Sequence, residues 1–147
     1  MSLVTADQLL AHAVGDYLLQ SDWMATQKTR RTIVAVIHAS VYSLPFLFLK
    51  PSLAAMAVII GTHCVIDRWR LARYLCWFKN HAAPWGYAPS GEPSGKPVFR
   101  CLHNRPFAEC SATGYSPDLP VWLSSWLLII VDNVMHVLIN GAALKYL

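Results

Sequence analysis

The sequence predicts an all-α fold: a polytopic membrane four-helix bundle whose first helix is short, with a long cytoplasmic loop between the third and fourth helices. Three observations carry this expectation. Of the 147 residues, 55% are hydrophobic and only 14% are charged, outside the usual range of a water-soluble domain. The apolar residues are gathered into stretches at 32 to 49, 51 to 66 and 119 to 144, each about long enough, at roughly 17 to 25 residues, to cross a bilayer as a helix. A soluble bundle of this size would have too little polar surface to cover them. Finally, histidines and aspartates recur four residues apart within the greasy segments, as polar groups do when they share an inward helix face. The length suits a single integral-membrane domain over 1–147, with 80–118 as an extended polar loop inside it.

The first helix is expected to start at Thr5, where Thr5 and Gln8 have capping-box spacing, and to run to about Gln20. About 15 residues rise only some 22 Å, so this helix crosses a thinned region or enters the ~30 Å hydrocarbon layer part-way. Its N-terminus, "MSLVTADQLL", has neither a basic start nor a small-residue cleavage site, so the segment is expected to stay in the protein. The second helix carries Pro45, which should kink or end it shortly before Lys50 and Pro51. The third opens at Pro51, and helical spacing continues beyond the apolar stretch through "RWRLARYLCWFK". Residues 80 to 118 hold six of the nine prolines and read as a loop. No internal repeat is visible.

Charge placement sets the expected orientation. Lys28, Arg30 and Arg31 follow the first helix, and Arg68, Arg70, Arg73, Lys79, Lys96, Arg100 and Arg105 follow the third; only Lys50 and Lys145 lie elsewhere. The positive-inside bias then puts loops 21–31 and 80–118 in the cytoplasm and both termini outward. Trp23, Trp69, Trp77 and Trp122 fall near the same boundary, as an interfacial aromatic belt would. The basic residues thus report membrane orientation, and no nucleic-acid partner is expected. Arg68, Arg70 and Arg73 are placed to receive anionic lipid headgroups. Cys64, Cys76, Cys101 and Cys110 are expected as reduced thiols.

Chemistry concentrates in three His/Asp pairs and one lone histidine. His12 and Asp16 lie in the first helix, His63 and Asp67 in the third, Asp132 and His136 in the fourth, and the second supplies His38 with Tyr42 one turn on. Residues i and i+4 share a helix face, so each pair aims an imidazole and a carboxylate the same way. Counted from the cytoplasmic boundary, most of these groups lie roughly 5 to 20 Å deep. Ionisable groups there cost on the order of 2.5 to 3.5 kcal/mol each on the lenient insertion scale, and they persist where they pair or serve function. A purely structural polar network is the competing reading. Metal ligation is the simpler offset, with His12, Asp16, His38, His63, Asp67, Asp132 and His136 as ligands and Gln20 and Tyr42 as orienting groups behind them. Carboxylates with imidazoles suit zinc first, then manganese or iron, as one ion or two. Cys64 points about 100° away from His63 and is a poor ligand.

The stretches "HAVGDYLLQSDWMA", "IHASVYSLPF", "HCVIDRWR" and "DNVMH" resemble the domain of unknown function 3307 family, uncharacterised integral-membrane proteins of bacteria and phages. The resemblance covers 8 to 79 and 120 to 140, with Asn133 where a glutamine is expected, and leaves the loop outside. It implies a bacterial inner-membrane location and supplies no activity. In the loop, Cys101, His103 and Cys110, with Cys76 or His81, offer zinc ligands in no recognised finger spacing, and a basic loop touching headgroups is the better expectation.

The function expected from these residues is metal-dependent hydrolysis of a lipid-like or phosphate-bearing substrate, with Asp16 or Asp132 moving protons. Two alternatives stand beside it: a metal-ion or proton carrier or channel subunit, as a homo-oligomer, and a non-catalytic membrane assembly partner. Membrane lipids are the expected partners in each case.

Overall fold

A computed structural model describes residues 2–82 and 106–147, with side chains described for 2–80 and 106–147, and every regular element among them is helical. The chain divides into two units, Met1–Leu71 with Asn133–Leu147, and Ala72–Asp132.

In the first unit, α1 (Ala6–Ala13) begins as the sequence predicts: the Gln8 N–H donates to Thr5 Oγ1 at 3.3 Å. The other half of the capping box is not made, because the Gln8 amide reaches out to donate to the Val137 carbonyl at 2.6 Å. The helix does not continue regularly to Gln20. Over Val14–Leu18 it widens to five-residue bonding, closed by Leu19 N–H to Val14 O at 3.0 Å. A short α2 (Asp22–Gln27), capped by Ser21 and burying no side chain, leads to Lys28.

The α3 helix (Thr32–Ser43) tightens into a 3₁₀ turn at Leu44–Leu49, with Pro45 in its first positions, as proline's missing donor demands. It buries two adjacent rows at i, i+4 spacing: Val34, His38 and Tyr42, and the small residues Ala35, Ala39 and Ser43. Small residues let helix axes approach closely in a membrane-type interface. The facing row on α4 (Leu53–Trp69, capped by Ser52) is Ala55, Ile59, His63 and Asp67. Below the polar residues, Ala11, Tyr42, Phe46, Ala55, Ile59 and Ala143 form an apolar cluster.

At the end of α4 the structure differs from the continuous helix expected of "RWRLARYLCWFK". Arg70 takes a left-handed conformation (φ 52°), and Leu71 N–H bonds back to Ile66 O at 3.0 Å, which ends α4 and starts a new helix, α5 (Ala72–Ala82). Glycine usually marks such a stop; here an arginine does, so no sequence signal announced it.

The second unit holds α5, a short α6 (Phe107–Cys110) and the first part of α7 (Val121–Tyr146), whose later residues belong to the first unit. Residues 106 to 118 of the expected loop therefore carry a helical turn followed by bends. Arg73 donates to the Ser111 carbonyl at 3.1 Å and lies over the Tyr74 and Phe107 rings. Burial pushes the Cys76 thiol and the Tyr115 phenol up, so both stay protonated near neutral pH. Cys76 and Cys110 are both buried. The remaining residues of the proposed loop zinc site, Cys101, His103 and the His81 side chain, lie outside those described.

Among the described residues, two segments are long and apolar enough to cross a membrane, Thr32–Leu49 and Val121–Tyr146. α4, at 17 residues, is slightly shorter, and α1 with its widened turn is shorter still. In the first unit polarity is inverted relative to a water-soluble protein. Leu10, Leu18, Phe48 and Leu53 are 65 to 91% exposed, while Gln8, His38, His63, His136 and Asn140 are at most 1% exposed.

Candidate metal centre

Five of the seven predicted ligands meet in the first unit. Asp16, His38 and His63 form one group and His63, Asp67 and His136 a second; within each, the ligand atoms lie within 4.8 Å of one another. The widened turn presents Asp16, the α3 row presents His38, the α4 row presents His63 and Asp67, and the late part of α7 presents His136.

The distances define one polar centre. His38 Nε2 and His63 Nε2 face each other at 3.0 Å. Both face Asp67 Oδ2, at 3.1 and 3.2 Å, and both approach Asp16 Oδ1, at 3.3 and 3.5 Å. The second Asp67 oxygen turns to His136 Nε2 at 3.6 Å. Two imidazole nitrogens and two carboxylate oxygens pointing at one spot cannot all be satisfied by protons from neutral imidazoles, since a proton on both Nε2 atoms would set donor against donor. A cation among them satisfies all four, so the donor set fits a divalent metal. With Asp67 oxygens facing different histidines, the same residues would suit one ion or two.

The Nδ1 atoms of His38 and His63 are buried and have no hydrogen-bond partner. Ligating histidines usually have the ring fixed by a carboxylate or carbonyl on that nitrogen. Here packing does it: the Tyr42 ring stacks on His63, with centroids 3.6 Å apart and planes 15° from parallel, and His63 lies against His136 at 4.2 Å.

His12, predicted as a ligand, is placed in neither group and makes different bonds. Asn140 Nδ2 donates to the Tyr42 hydroxyl at 2.6 Å, which directs the phenol proton to His12 Nδ1 at 2.8 Å. That leaves the imidazole proton on Nε2, donating to Asn133 Oδ1 at 2.7 Å. His12 Nδ1 also approaches Asp16 Oδ2, at 3.6 Å. His12 thus stands beside the centre, linked to it through Tyr42 and Asp16. Tyr42→Phe keeps the stacking surface but strips both hydroxyl bonds. It should lower stability by about 1–3 kcal/mol without changing metal stoichiometry, as thermal unfolding in detergent and elemental analysis would show.

Asp132 falls in the other unit, and its charge acts there on Cys76. Gln20 lies beyond the first helix with Oε1 buried and unbonded. Arg68 donates to Thr32 Oγ1 at 3.1 Å and to the Thr29 carbonyl at 2.8 Å, tying α4 to the turn before α3. Arg70 is exposed at the end of α4, and Arg73 belongs to the second unit.

Three participants escaped the sequence reading. Lys28 enters the centre, with Nζ 2.8 Å from Asp67 Oδ2 and 3.1 Å from His38 Nε2. Asn133 and Asn140 bond to His12 and Tyr42. Their signal was present: 133, 136 and 140 lie at i, i+3 and i+7, a single polar stripe on an apolar helix.

No curated protein and no solved structure matches the chain. The family described as "Protein of unknown function (DUF3307)" matches residues 4–85, a span that includes Asp16, Lys28, His38, His63 and Asp67 but not His136. Since that match covers more than half of its length, the chain belongs to the DUF3307 family.

Proposed function

We propose that the protein is a membrane-embedded, metal-dependent hydrolase acting on a lipid-like or phosphate-bearing substrate. The observation that carries this reading is the convergence of Asp16, His38, His63, Asp67 and His136, from four separate helical segments, on one buried centre in a unit with an apolar exterior. In the proposed topology α3, α4 and α7 cross the bilayer, α1 enters part-way, the termini face outward, and the centre lies toward the cytoplasmic side.

Asp16, His38, His63, Asp67 and His136 would hold a divalent ion, which would supply Lewis acidity and water activation there. The protein's own residues do the rest. Asp67, His38, His63 and His136 are buried and rigidly packed, which suits them to hold the ion. Asp16, whose side chain is 12% exposed, has one oxygen toward the imidazoles and the other toward His12, so it is the group placed to accept a proton and pass it outward. The exterior around Arg30, Arg31 and Arg70 offers charge to an anionic headgroup.

Protein purified in detergent, stripped and reloaded with zinc or manganese, should release product from a panel of phospholipids and phosphate esters. Chelator should abolish the release and fresh metal restore it. Unchanged substrate across the panel, with bound metal verified by elemental analysis, would exclude hydrolysis of these classes. Uptake of the same metal into sealed proteoliposomes would instead favour a carrier.

A further inference from the structure

Lys28 contacts two of the atoms that a metal ion at this centre would need. Its ammonium lies 2.8 Å from Asp67 Oδ2 and 3.1 Å from His38 Nε2, and those two atoms belong to the candidate ligand set. An ion bound at the usual ~2.0–2.2 Å to histidine nitrogen and carboxylate oxygen leaves no room for an ammonium hydrogen-bonded to the same atoms. Like charge adds to the exclusion in a centre where the histidine side chains are fully buried.

We propose that Lys28 is a tethered competitor for the metal centre: its ammonium closes the site when no divalent ion is bound, and a divalent ion must displace it. The inference rests on the metal-centre reading above and adds a gate to it. Charge balance favours the exchange only for an ion of sufficient charge. The carboxylates of Asp16 and Asp67 are half neutralised by one ammonium and fully neutralised by one divalent cation. A monovalent ion would replace Lys28 with no gain.

The local structure lets the side chain move while the backbone stays. Lys28 caps the C-terminus of α2, which buries no residue, and its side chain is 17% exposed. The next residue, Thr29, is held through its carbonyl by Arg68 at 2.8 Å. Exchange is thus a rotation of the lysine chain about a fixed backbone, carrying the part-exposed ammonium outward to solvent.

The test measures zinc and manganese affinity of the full chain in detergent by calorimetry, wild type against Lys28→Met, which keeps the apolar stem and removes the charge. If the open form is about one-tenth populated, the variant binds about tenfold more tightly. In parallel, acylation of Lys28 by an amine reagent, read by peptide mass spectrometry against Lys50 and Lys145, should rise several-fold when wild type is saturated with metal. Equal or weaker affinity in Lys28→Met overturns the competition while leaving the metal centre intact. Failure of both proteins to bind metal overturns the centre and the gate together. Should the variant not fold, labelling of wild type decides: no rise on metal saturation overturns the proposal.

Discussion

Asp67→Asn should abolish stoichiometric metal binding while leaving the helices assembled. One oxygen of Asp67 faces His38, His63 and Lys28 and the other faces His136, so the carboxylate is the hub of the centre. Asparagine keeps its shape, removes its charge and turns one acceptor into a donor aimed at imidazole nitrogens. The expected loss of affinity exceeds about 100-fold, beyond the 10–100-fold typical of changes behind the ligands. Lys28 loses its ion-pair partner in the variant, but being 17% exposed it can turn to solvent, so the stability cost stays below the ~3–5 kcal/mol of breaking a fully buried pair. Elemental analysis after dialysis, with calorimetry, would read the result; wild-type affinity in the variant would remove Asp67 from the centre.

Gly15→Ala should damage the same centre without touching a ligand. A Cβ at Gly15 would lie 2.6 Å from the Tyr42 carbonyl oxygen and 2.7 Å from its ring, so the first helix can approach α3 only because nothing projects there. Relief requires backbone separation or movement of the Tyr42 ring, at about 1–3 kcal/mol for overpacking. Either motion disturbs the stack that orients His63 and shifts Asp16, the adjacent residue. Thermal unfolding in detergent should show the destabilisation, and metal titration a weakened site. An unchanged unfolding temperature with unchanged affinity would show that the first helix is not held this closely.

Much of the centre was legible because its residues obey helical spacing in an apolar background. His63 with Asp67 is the clearest case: both share the α4 row that also buries Ala55 and Ile59. His38 was legible for the same reason, since it shares a buried row with Val34 and Tyr42. The pairing rule did not foresee that α7 passes from one unit to the other between Asp132 and His136. It misled at His12 in another way. The face was right, but Tyr42 and Asn133 claimed both ring nitrogens, and such bonds come from other parts of the chain. Lys28 was invisible because a basic residue after a membrane segment already has an explanation as a topology signal. Only the folded path of α2 brings its ammonium back to Asp67.

The widened turn at Val14–Leu18 stores one surplus residue in the first helix. Bulges of this kind are frequent at functional sites, and if this one shifted along the helix each step would trade one set of backbone bonds for the next. A slide past position 16 would swing that carboxylate roughly a quarter-turn about the axis, since one residue subtends about 100°. The other four ligands are locked into regular helices, where no comparable motion exists short of unpacking them. The aspartate from the bulge would then be the adjustable member of the candidate ligand set, and a shortened chain lacking one residue there would fix it in a single setting.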